Sequence, residues 1–281
     1  MSIQITILCE NTVGPSLSII GEHGFAAFLE TPSGNYLFDT GQGTTILRNA
    51  RHLKKNLSSL RKIFLSHGHY DHTGGLQHAL KIKNRVDVCA HHRIFDKKYA
   101  RLEKNGKTEE KYIGIRHTKG YYEKRGANFT FNRHLTEVGE NLYLTGEIPR
   151  ITAYEKGDPR LLIHDNGKAI PDPLSDDQAL VLKTKKGLTV ILGCAHSGLI
   201  NTIEYVLNQL KGEQLHAIIG GTHLGFLTDD QLNSTISDLK HHDFGMLGLS
   251  HCTGLKAASR LFQEFKNQCF FATAGKSFNI E

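Results

Sequence analysis

The sequence predicts an α/β fold in which two β-rich halves stack face to face and helices cover the outside. Two observations support this prediction. Short β-branched or aromatic runs recur along the 281 residues, and segments with helical periodicity alternate with the later runs. Each half of the chain begins with strands joined by hairpins and continues with alternating strands and helices. We therefore expect one domain over residues 1–281.

The predicted strands form an early and a late group. Turn sequences join some of them as hairpins, TPSGN at residues 31–35 and TKKG at residues 184–187, so antiparallel neighbours are expected there. The strands are predicted at residues 3–8, 25–29, 36–39, 62–66 and 86–90, and then at 141–144, 179–184, 188–193, 215–220 and 246–250.

The predicted helices follow strands in both groups. The helix at residues 228–241 begins with Thr228 as its N-cap and carries two aspartates in its first turn. Apolar side chains that recur on one face predict the other helices at residues 44–55, 73–80, 201–210 and 255–265.

Residues from about 91 to 175 break this rhythm, because they are polar, basic and rich in Gly, Asn and Tyr. We interpret this segment as an insertion near the active site, with a disordered surface excursion as the alternative. Residues 97–125 contain ten Lys or Arg and four Glu, a balance of +6 that equals the excess of the whole chain. This local charge favours an anionic partner, although a solvated basic surface is the simpler interpretation.

Composition excludes several classes of protein. With 39% hydrophobic and 22% charged residues the chain is typical of a globular protein, and no apolar run approaches the ~20 residues of a membrane span. The five cysteines are scattered and form no CxxC pair, which argues against a disulfide framework, a zinc ribbon or an iron–sulfur cluster. The N-terminal residues do not have the pattern of a signal peptide, so we expect a cytoplasmic protein without a membrane partner.

The segment FLSHGHYDHTGGL at residues 64–76 brings three histidines and an aspartate into six positions. His67 and His69 project to the same side at the end of a strand, because side chains alternate with a period of two. Asp71 and His72 follow where the chain turns into a helix. Three imidazoles and a carboxylate at one place are a ligand set for zinc or a similar divalent ion. Buried without a metal, such polar groups would lack partners, which is costly.

Three later histidines each follow an apolar run and stand close to glycine at a predicted strand end, His196 in VILGCAHSG, His223 in AIIGGTHLG and His251 in MLGLSHCTG. A single histidine at such a position is more often structural. Because three occupy equivalent positions in a chain that also carries HxHxDH, we predict metal ligands at His196 and His251. His223 is predicted as a further ligand or a substrate contact, with a structural role as the alternative.

The HGHYDH motif, with FDTG ahead of it and histidines at later strand ends, resembles the metallo-β-lactamase fold superfamily over nearly the whole chain. The resemblance implies a four-layer αββα sandwich that holds one or two divalent ions at the edge shared by its sheets. His67 and His69 would serve the first ion, and Asp71 and His72 the second. Asp39 would orient the histidine loop through hydrogen bonds, as carboxylates behind metal ligands commonly do.

The chain departs from the superfamily pattern at two places. GCAH at residues 193–196 stands where a bridging aspartate is common, so either His196 takes over the coordination or the second ion is weakly bound. Cys194 could be a soft ligand, but we expect a small buried residue in a tight turn. The third-motif histidine of the superfamily has no clear counterpart, and the nearest candidates are Asp176, Asp177 and His164.

Within the superfamily, LTGEIPR, DDQALVL, GCAHSGLINTI, GGTHLG and SHCTGLKA most resemble a dihydropterin-phosphate synthase-like subgroup of metal-dependent hydrolases. This implies a hydrolase, or a metal-assisted transferase, for an anionic and phosphorylated small molecule, with pterin-related compounds as candidates. Zinc is the expected ion, with manganese or iron as alternatives, and it would make water reactive near neutral pH. Asp71 and His72 are the predicted catalytic residues. Arg150 is predicted to hold the substrate phosphate, against a surface salt bridge as the alternative.

Two other classes remain open. A nuclease or phosphodiesterase would use the basic segment along a nucleic-acid backbone, but basic and aromatic residues are not interleaved beyond Tyr121 and Tyr122. A non-hydrolytic redox or sensor protein of this fold is expected to carry a carboxylate within the first motif, where Tyr70 stands. We therefore favour a small-molecule substrate over nucleic acid. The sequence does not determine the oligomeric state, and an oligomer is compatible with it.

Overall fold

The computed structural model describes residues 3–15, 18–104 and 106–280 and contains two seven-stranded sheets and one four-stranded sheet. The strands are β1 (Gln4–Cys9), β2 (Ala26–Thr31), β3 (Gly34–Phe38), β4 (Leu60–Phe64), β5 (Val86–His91), β6 (Tyr99–Lys104), β7 (Lys107–Tyr112), β8 (Ala127–Asn132), β9 (Thr136–Gly139), β10 (Leu142–Leu144), β11 (Leu161–Asp165), β12 (Lys168–Pro171), β13 (Leu180–Thr184), β14 (Gly187–Leu192), β15 (Leu215–Gly221), β16 (Met246–Ser250), β17 (Cys269–Phe271) and β18 (Ser277–Asn279). The helices are α1 (Ile46–His52), α2 (Tyr70–Thr73), α3 (Leu76–Ile82), α4 (Lys119–Glu123), α5 (Leu199–Gln209), α6 (Asp229–Leu239) and α7 (Leu255–Phe265).

The two large sheets share one plan. The first has the order β18-β1-β2-β3-β4-β5-β8 and the second β17-β16-β15-β14-β13-β10-β9. In each sheet an antiparallel hairpin, β2–β3 or β13–β14, leads into parallel strands with crossover connections. Both predicted hairpins are confirmed, and the parallel strands place several carboxyl ends at one edge of each sheet.

Three buried clusters hold four layers together. Residues such as Phe38, Phe64 and Ile219 fill the space between the large sheets. Ile46 of α1 and Leu76 of α3 belong to a second cluster that also contains the outer residues of the first sheet. The third cluster joins the outer face of the second sheet to apolar residues of α5, α6 and α7. The predicted four-layer αββα sandwich is therefore confirmed.

The segment at 91–175 is distributed over all three sheets. β8 belongs to the first sheet, β9 and β10 belong to the second, and β6, β7, β11 and β12 form the small third sheet. The sequence does not predict this third sheet, because β7 and β12 expose every side chain and so lack apolar alternation. None of the described helices combines the length and apolar character that a membrane span requires.

A buried lysine connects the third sheet to the histidine motif. Lys98 donates to Asp172 Oδ2 at 2.9 Å and to Asp176 Oδ1 at 2.8 Å. The other oxygen of Asp176 accepts the N–H of Gly68, between the first two motif histidines, at 2.8 Å. Lys98 and Asp176 are 2% and 1% exposed, so these charges depend on each other for compensation.

Replacing Lys98 with methionine is expected to lower the free energy of unfolding by about 3–5 kcal/mol, because two buried carboxylates lose their cation. Burial alone would raise the pKa of Asp176, but Lys98 and the Gly68 N–H outweigh it and lower the pKa. Because the pKa of Asp176 is lower in the folded than in the unfolded chain, where it is ~3.9, its ionised form stabilises the folded protein at pH values above ~3.9. This stabilisation is lost as the pH falls below that value towards the folded-state pKa. Denaturant titration of the wild type should therefore show less stability below about pH 4, with a smaller acid effect in Lys98→Met.

The neighbouring exposed Lys97 provides the matched control, since Lys97→Met removes the same charge from the surface and should change stability by less than about 0.5 kcal/mol. Equal stability of Lys98→Met and Lys97→Met would contradict the assigned role of the buried lysine.

Candidate metal centre

The predicted site residues meet at the edge where strands of both large sheets end. His67 and His69 follow β4 of the first sheet, whereas His196, His223 and His251 follow β14, β15 and β16 of the second. The carboxyl ends of parallel strands are the usual place for ligands in α/β proteins, since loops from several strands converge there. Residues 179 positions apart in the chain, His72 and His251, are thereby brought into contact.

Three imidazoles form the first group of candidate ligands. His67 Nε2 lies 2.9 Å from His69 Nδ1. The centre of the His196 ring lies 4.8 Å from the centre of the His67 ring and 5.0 Å from that of the His69 ring. His69 Nε2 and both ring nitrogens of His196 are buried without a hydrogen-bond partner. Burial lowers the pKa of His67 and of His196, and lowers that of His69 to about 3, so the rings stay neutral. Neutral and convergent imidazoles, with three ring nitrogens left without a partner, fit a divalent ion.

Asp71, His72 and His251 form a second group beside the first. Asp71 Oδ2 lies 3.4 Å from His251 Nε2, and His72 Nε2 lies 3.2 Å from the same His251 nitrogen. His23, which lies outside the predicted ligand motifs, reaches Asp71 Oδ2 at 3.0 Å from a loop after β1. A carboxylate and facing imidazole nitrogens are again a suitable donor set for a divalent ion. The one sequence signal for His23 is its position in the glycine-flanked GEHG.

Cys194 lies between the two groups. Its Sγ is 3.2 Å from His72 Nε2, and the ligand atoms of His67, His72 and Cys194 lie within 4.8 Å of one another. Cys194 is buried, as expected. Its sulfur also faces imidazoles and is available as a metal ligand. His196 is the third imidazole of the first group, and Cys194 lies between the two groups.

Asp39 supports the histidine loop from behind, at the position that the sequence predicts. Asp39 Oδ2 accepts from Ser66 Oγ and His72 Nδ1, both at 2.6 Å, and Oδ1 accepts the Ser66 N–H at 2.7 Å. Burial alone would lower the pKa of His72, but Asp39 and Asp71 outweigh it and raise the pKa to about 9. With Nδ1–H donated to Asp39, the Nε2 atom of His72 faces the cluster.

Glu10 and Asn11 support His251 in the same way. Asn11 Oδ1 lies 2.8 Å from His251 Nδ1, and Glu10 Oε1 accepts the His251 N–H at 2.5 Å. His251 holds a left-handed backbone with φ of 50°, a conformation that non-glycine residues rarely adopt and that is often found at functional sites. These two supporting residues were missed, although CENT directly after the first predicted strand is a polar signal at the sheet edge.

The three candidates for the missing third histidine have other contacts. Asp176 pairs with Lys98, and Asp177 Oδ2 accepts the Ser197 N–H at 2.8 Å. His164 lies on the third sheet, where it contacts Glu110 at 2.8 Å. The two aspartates therefore hold the loops that carry His67 and His196, and neither lies in a described ligand group.

Arg150 lies behind His196. Its guanidinium donates to the main-chain oxygens of His196 at 2.7 Å, of Glu155 at 3.3 Å and of Pro173 at 3.3 Å. The prediction that Arg150 holds a substrate phosphate does not fit this position, because these carbonyls use its donors and it does not line the cavity beside the histidines. The structure instead makes it a support for the His196 loop.

Arg150→Met is expected to weaken zinc binding by about 10–100-fold, the usual effect of removing a group that holds a ligand in place. Competition with a chromogenic chelator measures the affinity. Arg133→Met is the control, because Arg133 is exposed and pairs with Glu147 near the same segment. Wild-type zinc affinity in Arg150→Met would show that the His196 loop needs no such support.

A cavity of about 220 Å³ opens onto the cluster. Histidines of both groups line one side, and residues of β6 and β11 in the third sheet line the other. His223 lies where these two sides of the cavity meet. Its Nε2 atom is 3.0 Å from Asp158 Oδ2, and its Nδ1 atom is buried without a hydrogen-bond partner. Two arginines, Arg101 and Arg160, and the exposed ring of Phe226 complete the wall.

A model of the metallo-β-lactamase superfamily matches residues 20–196, which include the histidine motif, the Asp39 loop and His196. The chain belongs to the metallo-β-lactamase superfamily. Proteins of this superfamily are generally hydrolases and bind divalent metal ions, and the clusters described above could hold such ions.

Relatives cover the chain from end to end. The 7,8-dihydropterin-6-methyl-4-(β-D-ribofuranosyl)-aminobenzene-5'-phosphate synthase of Methanocaldococcus jannaschii is 30% identical, with 98% of this chain and 96% of that protein covered. An uncharacterized protein of the same organism is 33% identical, with 99% and 100% covered. The resemblance to the dihydropterin synthase-like subgroup of the superfamily is thus confirmed.

Solved structures agree with the fold. A crystal structure described as a metal-dependent hydrolase of the β-lactamase superfamily is 28% identical, superimposes with a TM-score of 0.81 and covers 98% of each chain. Zinc-bound PqqB from Methylobacterium extorquens has a TM-score of 0.56 at 10% identity, with 98% and 99% covered, and shows the fold alone.

Proposed function

We propose that this chain is a metal-dependent hydrolase, or a metal-assisted transferase, that acts on an anionic and phosphorylated small molecule. The observation that carries the proposal is the convergence of the buried imidazoles of His67, His69 and His196. His69 and His196 have ring nitrogens without a hydrogen-bond partner, and both line the cavity. Asp71, His72 and His251 complete the proposed ligand set. Zinc is the proposed ion, with manganese and iron as alternatives, because imidazole and thiol donors suit zinc.

A divalent ion held there supplies Lewis acidity, which polarises a carbonyl or phosphoryl oxygen and lowers the pKa of water. The protein residues provide orientation. Asp39 holds His72, and Asn11 holds His251, so that both Nε2 atoms face the cluster. Asp71 accepts a hydrogen bond from His23, whose side chain is 44% exposed, so this carboxylate is linked to solvent at the cavity mouth. Asp71 and His72 remain the proposed catalytic residues.

The cavity supports a small anionic substrate. Its volume of about 220 Å³ is below the ~300–1,000 Å³ of pockets that enclose drug-sized ligands, so it suits a small molecule or one end of a larger one. Arg160 and Arg101 line it, and the guanidinium of Arg160 lies 5.4 Å from the centre of the Phe226 ring. A cation beside an aromatic wall favours a ring that bears a phosphate. The relative named as a dihydropterin phosphate synthase supports the same substrate class and the transferase alternative.

A substrate screen tests this proposal. Purified protein is assayed against phosphate monoesters, phosphodiesters, thioesters and lactones, before and after chelation and with zinc added back. We expect turnover of a phosphorylated small molecule that is lost on chelation and restored by zinc. Turnover that survives complete metal removal would contradict the proposal, whereas steeply salt-dependent RNA binding or cleavage would favour the nuclease alternative. Bound iron with redox activity, and no hydrolysis of any class, would favour the redox alternative.

A further inference from the structure

Two thiols and one imidazole converge at the wall of the cavity. The Sγ atoms of Cys194 and Cys252 and a ring nitrogen of His223 lie within 4.8 Å of one another. The three side chains are 3%, 3% and 7% exposed, and all belong to loops that follow parallel strands of the second sheet. Cys252 and His223 take no part in the ligand set proposed above.

The surroundings of Cys252 are shaped for a sulfur ligand. The backbone N–H of His223 donates to Cys252 Sγ at 3.2 Å, and hydrogen bonds to sulfur are typical of metal-bound thiolates. A Cβ atom on Gly221 would lie 2.6 Å from the same sulfur, so only glycine leaves room for it there. The thiol therefore occupies a space that the neighbouring strand keeps open.

The His223 side chain is oriented as a metal ligand would be. Its Nε2 atom lies 3.0 Å from Asp158 Oδ2, and Asp158 is itself held by Arg160. A carboxylate behind one ring nitrogen directs the other nitrogen at the ion in most histidine metal sites. Here that other nitrogen, Nδ1, is buried without a hydrogen-bond partner, and the residue adopts a left-handed backbone with φ of 56°.

We propose that Cys194, Cys252 and His223 form a sulfur-rich site for one soft divalent ion, zinc or cadmium, in addition to the imidazole-rich cluster. Thiolate donors select such ions over magnesium, calcium or manganese. The ion connects the loops after β14, β15 and β16, and Cys194 faces both this site and His72. This inference does not depend on hydrolytic activity.

Cobalt substitution tests the site with an optical readout. Reduced, metal-depleted protein is titrated with Co²⁺, and sulfur-to-cobalt charge-transfer absorption and the number of bound ions are measured. We expect Cys252→Ser to bind one ion fewer and to lose the absorption of that ion, because a site of three ligands does not hold the ion after one thiolate is removed. Cys269→Ser, at another buried free cysteine, is the matched control and should keep both.

Two further variants keep the test decisive. His67→Ala/His69→Ala should retain the absorption, which separates this site from the imidazole cluster and from the proposed function. Asp158→Asn preserves the shape but weakens the support of His223, and should lower cobalt affinity at this site by about 10–100-fold. Wild-type absorption and ion number in Cys252→Ser, or unchanged affinity in Asp158→Asn, would overturn the proposal.

Discussion

Replacing both His67 and His69 with alanine is expected to remove at least one divalent ion per chain and to abolish turnover. Two of the three imidazoles of the first group are lost, and the third, His196, cannot hold an ion alone. Loss of Lewis-acid stabilisation worth several kcal/mol corresponds to a decrease in turnover of about a thousandfold or more. Metal analysis by plasma mass spectrometry and the substrate assay on the same preparation measure both effects.

His241→Ala/His242→Ala is the matched control for this variant. It also removes two histidines, but from a surface turn after α6, where His242 contacts Glu204 at 3.3 Å. Ion content and turnover should equal those of the wild type. A His67→Ala/His69→Ala protein that folds, contains no metal and still turns over substrate would contradict the proposed function.

Replacing Asp39 with alanine is expected to have the second-largest effect. Asp39 is fully buried and accepts hydrogen bonds from Ser66 N–H, Ser66 Oγ and His72 Nδ1. Breaking this buried charged network should lower the free energy of unfolding by about 3–5 kcal/mol. Zinc affinity should fall by about 10–100-fold, because His72 loses the group that directs its Nε2 atom. Denaturant titration and chelator competition measure the two quantities.

Asp39→Asn separates the two effects. Asparagine has the same shape and tolerates the left-handed backbone, which has φ of 58° here, so most of the stability should remain. Zinc affinity should still fall, since the carboxylate charge that supports His72 is gone. Asp243→Ala, at an exposed aspartate, should change neither quantity measurably. Zinc affinity of wild-type strength in both Asp39 variants would contradict the assigned support of His72.

Most of the sandwich could be predicted because its elements carry strong local signals. The buried strands read as apolar runs, and Thr228 accepts the N–H of Gln231 as a helix N-cap should. The third sheet could not be predicted in this way. Most residues of its strands are exposed, and the sheet is connected to the rest of the fold by long-range contacts such as the buried Lys98 network. Such contacts leave no periodic pattern in the sequence.

The site could be predicted only where ligands are close in sequence or share a local context. His67, His69, Asp71 and His72 form one motif, and the later histidines each stand at a strand end. The proximity of Cys252 to Cys194 has no such signal, because it arises from the packing of separate loops. Arg150 was misplaced for a related reason, since its partners are main-chain carbonyls that any residue could provide.

Anomalous diffraction from crystals soaked in zinc shows whether the histidine cluster binds a metal ion. We expect at least one zinc peak among the imidazoles of His67, His69 and His196, at ~2.0–2.1 Å from the coordinating nitrogens. The absence of any peak in this cluster at saturating zinc, with these rings turned away from one another, would contradict it.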